Sequence, residues 1–296
     1  MIANDSSAGV PMITIGMPVF NGAKTIAAAI ESILEQTFSN FELIISDNCS
    51  TDGTANICSR YAKQDGRIHV IRQDHNIGAS ENFKFVVKKA RGVYFSWAAA
   101  DDLRSPDFIE TNVRFLEANP DYTASTSPNC FEGQEQGGSW VDFAICGDFE
   151  DRVMLFLDNC WESHAIFYSV LRTKVIRECD LLGEEFLGFD WAIDLFLVKQ
   201  GQINRASHGK LILGRKGLSN SCNPWRKFRK SFLSWPLPFY QFSLYAWRLT
   251  AGCGLRWRIK LIARLFKLNR QSAYHQLYAE LFPFYFKHIR PWIKRA

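Results

Sequence analysis

The sequence predicts an α/β protein with a mostly parallel central sheet flanked by helices, followed by a basic, aromatic helical extension. Three observations carry this. Short apolar runs rich in β-branched residues alternate with helix-patterned stretches through the first hundred residues. Each of those runs ends in polar or glycine residues. The charge is also split: residues 221–296 hold 15 of the 35 Lys and Arg but one of the 30 acids, Glu280, leaving +14 there and −9 in the rest. Strand–helix alternation at this spacing means βαβ units and parallel pairing. Opposite charge in two parts suggests two jobs, the basic part seeking an anionic partner.

Residues 12–19 are expected to form the first strand, broken by Phe20-Asn21-Gly22. A helix over 23–35 follows, with Ile26, Ile30, Ile33 and Leu34 on one side. The second strand, 41–46, ends in Asp47-Asn48-Cys49-Ser50-Thr51-Asp52-Gly53-Thr54, a run of turn-formers and caps. A helix over 55–63, a strand over 68–71 ending in residues 74–78, and a helix over 81–90 come next. Residues 92–102 start as a buried strand and end in two carboxylates, Asp101 and Asp102, after the small Ala98, Ala99 and Ala100. Ser105-Pro106-Asp107 then signals a helix start.

In an open α/β sheet the ligand crevice lies at the carboxyl ends of the strands. Four such ends carry Asn21, Asp47, Asn76 with Gly78, and Asp101 with Asp102, a polar edge suited to a phosphate-bearing ligand. Adjacent carboxylates repel unless a cation or hydrogen-bond donors separate them. Hard oxygen ligands suit Mg²⁺ or Mn²⁺. Taken alone, the pair reads as a helix N-cap with a spare solvated Asp; the chain upstream lifts it. The absence of a G-x-G-x-x-G or Walker A loop excludes a typical dinucleotide binder and a P-loop NTPase.

Ile15-Gly16-Met17-Pro18-Val19-Phe20-Asn21, Gln36-Thr37-Phe38, Glu42-Leu43-Ile44-Ile45-Ser46-Asp47-Asn48-Cys49-Ser50-Thr51-Asp52-Gly53-Thr54, Asn76-Ile77-Gly78 and Ala100-Asp101-Asp102 together resemble the family 2 inverting glycosyltransferases of the GT-A fold. The resemblance covers roughly the first two-thirds of the chain. It implies that Pro18 and Phe20 line the nucleotide-base pocket and that Asp47 hydrogen-bonds the base, uridine being favoured. It also places Asn21, Asn76, Gly78 and Ala100 around the nucleotide. Asp102 would coordinate Mn²⁺ or Mg²⁺, with Asp101 meeting the ribose or the metal. One departure matters: family members often carry a base where Glu81 or Asn82 stands. Lys84, Arg215 or Lys216 would then meet the diphosphate.

Residues 107–119 are expected to be a helix, and 122–140 irregular strands and loops on the acceptor side. The run 161–168 resembles the family's strand leading to a helix at 171–173. His164 there is a possible acceptor or phosphate contact, or a satisfied structural histidine. A helix opens after Gly188 with Asp190 at its N-terminus, at the family's E-D position, where Phe189 replaces the first acid. Asp190 is the expected catalytic base; Glu184 and Glu185 stand in reserve, and Asp194 is a supporting or surface acid. Strands at 203–205 and 210–213 precede a basic loop, Gly214-Arg215-Lys216-Gly217-Leu218-Ser219-Asn220.

Beyond Pro224 aromatics alternate with bases and prolines. Residues 255–268 read as an amphipathic helix, with Arg256, Lys260, Arg264 and Lys267 on one narrow face. Leu255, Trp257, Ile259, Leu261, Ile262, Leu265 and Phe266 fill the rest, Arg258 excepted. That pattern suits an anionic membrane surface; a homo-oligomerisation module is the alternative, and nucleic acid is disfavoured for want of a motif. The eight scattered cysteines fit a reducing compartment. The polar residues 1–11 read as a flexible tail rather than a signal peptide.

The expected layout is a catalytic domain over 12–220, nucleotide-binding to about 105, and a helical region over 221–296. The expected activity is metal-dependent transfer of a sugar from a nucleotide-diphosphate donor to a lipid-linked (polyprenyl-diphosphate) glycan or polysaccharide. It would occur at the inner face of the cell membrane. A catalytically silent sugar-nucleotide-binding scaffold is the alternative.

Overall fold

The computed structural model describes residues 9–135, 140–215, 224–229 and 231–282. Its chain divides into two compact units, Met1–Glu184 with Ile193–Gly217, and Glu185–Ala192 with Leu218–Ala296.

The first unit opens with β1 (Ile13–Val19), α1 (Ile26–Leu34), β2 (Phe41–Asp47), α2 (Thr54–Gln64), β3 (Ile68–Arg72), α3 (Ala79–Lys89) and β4 (Tyr94–Trp97). Then come β5 (Leu103–Arg104), α4 (Phe108–Ala118), β6 (Tyr122–Thr126), β7 (Asn129–Phe131), α5 (Phe149–Asn159), α6 (His164–Phe167), β8 (Val170–Arg172) and α7 (Thr173–Arg177). Helix α8 (Phe189–Gln200), in which the division into units falls, precedes β9 (Gln202–Arg205) and β10 (Leu211–Leu213). Seven strands form one sheet in the order β3-β2-β1-β4-β8-β6-β9, and β5-β10-β7 form a smaller one. Strands β1 to β4 pair in parallel, while β8 is antiparallel to both β4 and β6.

Every residue of β1 and β2 is buried, which is why both read as near-continuous apolar runs rather than alternating ones. Pro18 is tolerated inside β1 because pairing with β4 ends at Gly16, two residues earlier. Polar ties lock the frame. Thr14 Oγ1 donates to Glu42 Oε1 at 2.6 Å, and Arg91 Nη2 pairs with Glu42 Oε2 at 2.6 Å. Gln36, from the Gln-Thr-Phe motif, donates to Ser105 O and accepts from Ile109 N, fastening α1 to the start of α4.

The expected strand over 161–168 is corrected: a 3-10 turn (Cys160–Glu162) and α6 occupy that run, and the strand is Val170–Arg172. Short apolar runs do not declare their period. Here Phe167 stacks on Trp97 at 4.4 Å, so the run buries its apolar residues as a helical turn against β4.

In the second unit, α9 (Pro224–Phe228) and a 3-10 turn (Phe232–Ser234) precede α10 (Tyr240–Leu249) and α11 (Leu255–Leu281). The expected helix over 255–268 is therefore the first half of a longer one. Phe242 and Ala246 of α10, and Leu261, Leu265 and Leu268 of α11, are buried. Asn269 clasps the pair: its Nδ2 donates to Ser243 Oγ at 2.9 Å and its Oδ1 accepts from Phe239 N at 2.9 Å. Among the described residues, no helix is long and apolar enough to cross a membrane.

Candidate active site

The carboxyl edge of β1, β2 and β4 is where the sequence places its polar strand ends, and these ends are tied to one another. Asn21 sits at φ 53° and accepts from Thr51 N at 2.8 Å, while its own N–H donates to Ser50 Oγ. Gly22 N donates to Thr54 Oγ1, and Ala23 N donates to Asp52 Oδ2. Asn48 clamps the next loop: its Nδ2 donates to Asn76 Oδ1 at 2.9 Å, and its Oδ1 accepts from Ile77 N. Gly78 N closes on Asn76 Oδ1. Ala100 lies against Gly22. Phe20 stands at this edge with half its surface in water, whereas Pro18 is buried within β1.

Asp47 is fully buried at the end of β2. Its Oδ1 accepts from Ser50 N, but Oδ2 has no hydrogen bond. Arg72 Nε approaches that oxygen at 3.7 Å. Asp47 and Arg72 are register partners across β2 and β3, so aligning the two predicted strand ends is the signal that finds Arg72. The pair presents an acceptor beside a donor at one strand edge.

Asp102 is 3% exposed. Its Oδ1 accepts from Gly214 N at 2.9 Å, at the end of β10, and its Oδ2 has no hydrogen-bond partner. Burial pushes its carboxyl up to about 7, against the pull of Arg104 and the Gly214 N–H, with Asp101 adding a little. Gly214 has to be glycine, because a Cβ there would run into the carbonyl and carboxyl oxygens of Asp101. Arg104 is itself buried, donating Nη2 to Trp97 O at 2.6 Å, and desolvation lowers its pKa. The sequence gives no signal for it, since a two-residue strand looks like loop.

A divalent ion fits this corner. Asp102 offers a bare, buried carboxylate oxygen beside a second carboxylate. Among the described residues no three acids, histidines or cysteines gather as a protein-only cage. Mg²⁺-like ions ordinarily use one or two carboxylates and complete their shell with water and substrate phosphates.

His164 and Arg215 meet the same ring: Phe131 has the His164 ring at 5.3 Å and the Arg215 guanidinium at 5.6 Å. Lys84, proposed from sequence as a diphosphate contact, is paired with Glu81 at 3.0 Å. Asn82 is buried and exchanges hydrogen bonds with Ser46, tying α3 to β2. That structural tie is what the position does here in place of a base. Lys216 lies outside the described residues.

Asp190 belongs to the second unit's segment Glu185–Ala192, in the first turn of α8. Its turn is fixed locally. Gly188 is at φ 82° with the Phe239 ring where a side chain would go, and Trp191 stacks on Phe239 at 5.0 Å. Burial raises the Asp190 carboxyl above the usual range, partly offset by backbone N–H groups. Glu185 is paired with Lys227 at 2.9 Å, Glu184 is exposed, and Asp194 is buried.

Glycosyltransferase GlyG of Streptococcus pneumoniae is 33% identical over 139 residues, 47% of this chain and 45% of its own length. In overall fold the chain is similar to Staphylococcus aureus TarS 1-349 in complex with UDP-GlcNAc. That match has a TM-score of 0.66 at 17% identity and covers 88% of this chain and 74% of that one. It is also similar to the mannosyltransferase PcManGT from Pyrobaculum calidifontis in complex with GDP-Man and Mn²⁺. Here the TM-score is 0.54 at 16% identity, over 95% and 89% of the two chains. The α/β sheet with its flanking helices is thus the GT-A fold. The model of glycosyl transferase family 2 matches residues 14–170, more than half of the sequence, and the chain belongs to that family.

Proposed function

We propose that this protein is a metal-dependent inverting glycosyltransferase. It moves a sugar from a UDP-sugar to a lipid-linked, polyprenyl-diphosphate type or polysaccharide acceptor at a membrane surface. The observation that carries the reading is the pair of half-satisfied buried carboxylates, Asp47 and Asp102, on one edge of the sheet. Each spends one oxygen on a backbone N–H, and the other has no hydrogen bond, that of Asp47 facing Arg72 Nε at 3.7 Å. Leaving a buried polar atom unpaired costs about 1–3 kcal/mol, so such atoms imply a partner.

Asp47 with Arg72 offers acceptor and donor to the N–H and carbonyl of a uracil imide edge. Phe20, exposed beside them, supplies a face for the base. Asn21, Asn76, Gly78 and Ala100 shape the walls. Asp102, with Asp101, would hold Mn²⁺ or Mg²⁺, whose chemistry is to neutralise charge on the departing diphosphate. Arg215, following Gly214, adds a cation to the same leaving group, and His164 lies across Phe131 from it as an acceptor or phosphate contact.

Inversion needs one in-line displacement. The acceptor oxygen attacks the anomeric carbon from the face opposite the nucleotide, the bond to the diphosphate oxygen breaks, and the hydroxyl proton goes to a carboxylate. Asp190 is that base in this reading. Its raised pKa makes it a stronger proton acceptor than an ordinary aspartate.

Phe189 in place of the family's first acid favours one other reading, a sugar-nucleotide-binding scaffold without turnover. Hydrolysis of UDP-sugars with and without Mn²⁺, on wild type and Asp190→Asn, separates the two. Metal-dependent hydrolysis lost in the variant supports the enzyme, and no hydrolysis of any nucleotide sugar supports the scaffold.

A further inference from the structure

The second unit holds a groove that the transfer reaction does not use. Between α10 and α11 lies a cavity of about 270 Å³ lined by Leu237, Tyr240, Leu244, Trp247, Ile262 and Phe266, with Asn269 and Ser243 at its base. The polar groups at that base are spent on each other. Asn269 gives its two amide hydrogens to Ser243 Oγ and Leu265 O and accepts from Phe239 N. The groove therefore offers apolar walls that include the amphipathic rings of Tyr240 and Trp247. Ile262 is 51% exposed and Phe266 64%.

Those two residues also belong to a longer line. At about 100° per residue, Leu255, Ile259, Ile262, Phe266 and Leu277 fall on one stripe of α11, and all are half or more exposed. The 27 residues of α11 make the helix about 40 Å long. Going around the helix, the buried line through Leu261, Leu265 and Leu268 comes first, then this stripe. Beyond it lie Arg256, Lys260, Arg264, Lys267 and Arg270. Arg258 lies flat on Trp247, its guanidinium 3.3 Å from the ring centroid. The described acid of this helix, Glu280, is already paired with Arg229 at 2.6 Å.

We propose that the groove seats one hydrocarbon chain of an anionic phospholipid, with its phosphate met by the basic strip of α11. The proposal rests on the membrane-surface part of the functional reading and gives it a binding site. Charge complementarity selects this occupant over a second copy of the chain. A two-fold contact would bring the same patch against itself, setting five bases against five with no free acid on the described helix to answer them. An apolar stripe beside a basic strip is the pattern of a helix lying in the headgroup plane. Each base near an anionic surface adds about fivefold to partitioning.

The test uses the full chain and vesicles of phosphatidylglycerol and phosphatidylcholine whose acyl chains carry bromine, a short-range quencher of tryptophan. The expected result is flotation with mixed vesicles but not with pure phosphatidylcholine. Quenching should fall by about half or more in Trp247→Phe. Leu244→Phe with Ile262→Phe fills the groove; it should still float but lose the Trp247 component. Lys260→Glu with Lys267→Glu, both exposed, should cut partitioning at least tenfold while leaving UDP-sugar hydrolysis unchanged.

Flotation with quenching that Trp247→Phe does not alter would overturn the groove and leave the membrane reading standing. Absence of flotation with every vesicle overturns both, while UDP-sugar hydrolysis reports separately on the enzyme. A concentration-dependent dimer abolished by filling the groove would show a second copy as its occupant and overturn the proposal.

Discussion

The sheet unit ties its polar loops to one another, whereas the C-terminal hairpin leaves a line of large apolar side chains in water. At the strand edge, Asn21, Asn48 and Asp52 each spend side-chain oxygens on a neighbouring loop. There, one carboxylate oxygen each of Asp47 and Asp102 has no hydrogen bond. The hairpin is finished the other way: Asn269 spends its amide on Ser243, Leu265 and Phe239, while Leu255, Ile259, Phe266 and Tyr274 are exposed. In the proposed reading, the rigid polar edge receives a small polar ligand and a cation, and the apolar stripe beside the basic strip meets an anionic membrane surface.

The largest effects should come from removing the Asp102 carboxylate and the proposed base. Asp102→Asn is expected to lower metal-stimulated donor turnover about a thousandfold. Chelation of the metal should do the same to wild type, and added Mn²⁺ should restore the wild type but not the variant. Steady-state assays across a Mn²⁺ series check this. Asp190→Asn should cost about 10²–10⁴ in kcat with UDP affinity unchanged, read by pairing those assays with calorimetric titration.

Stability sharpens the contrast between the units. Trp97 is fully buried and stacked on Phe167, so Trp97→Ala should cost about 3–5 kcal/mol in urea unfolding. Phe232 is 86% exposed, and Phe232→Ala should stay within about 0.5 kcal/mol. Comparable losses at the two sites would erase the contrast between a packed sheet core and a solvent-facing turn of the second unit.

A pH dependence is also expected. The carboxyl of Asp102 is raised in the folded state to about 7 from an ordinary 3.8. Between those values the folded protein holds a proton that the unfolded chain has released. Metal-free stability therefore falls as pH rises from about 4 to about 7. Melting curves at pH 5 and pH 8 should show this fall in wild type and a smaller one in Asp102→Asn. Mn²⁺ should offset it at pH 8, where the carboxylate is free to bind.

Much of the fold was legible because strands buried on both faces announce themselves as apolar runs and their ends as clusters of turn-formers. The four parallel strands and the polar residues at their ends follow from that alone. The helical turn His164–Phe167 escapes a sequence reading because a short apolar run fits either period, and only the stack on Trp97 decides it. Arg104 was invisible because its burial depends on a two-residue strand paired with β10, a contact more than a hundred residues away in sequence. Arg72 was within reach, since strand register puts it opposite Asp47. The role of Asn82 as a tie to Ser46 could not be read either, because a buried amide and a ligand-binding one look alike in a sequence.

The proposed chemistry requires that the Asp102 oxygen without a hydrogen bond complete a cation-diphosphate site. Thermal melting of wild type and Asp102→Asn with UDP, with Mn²⁺, and with both tests this most directly. The expected result is a shift with the two together that exceeds the sum of the separate shifts in wild type and disappears in the variant. An equal response to UDP with and without Mn²⁺, or an undiminished joint shift in Asp102→Asn, would contradict it.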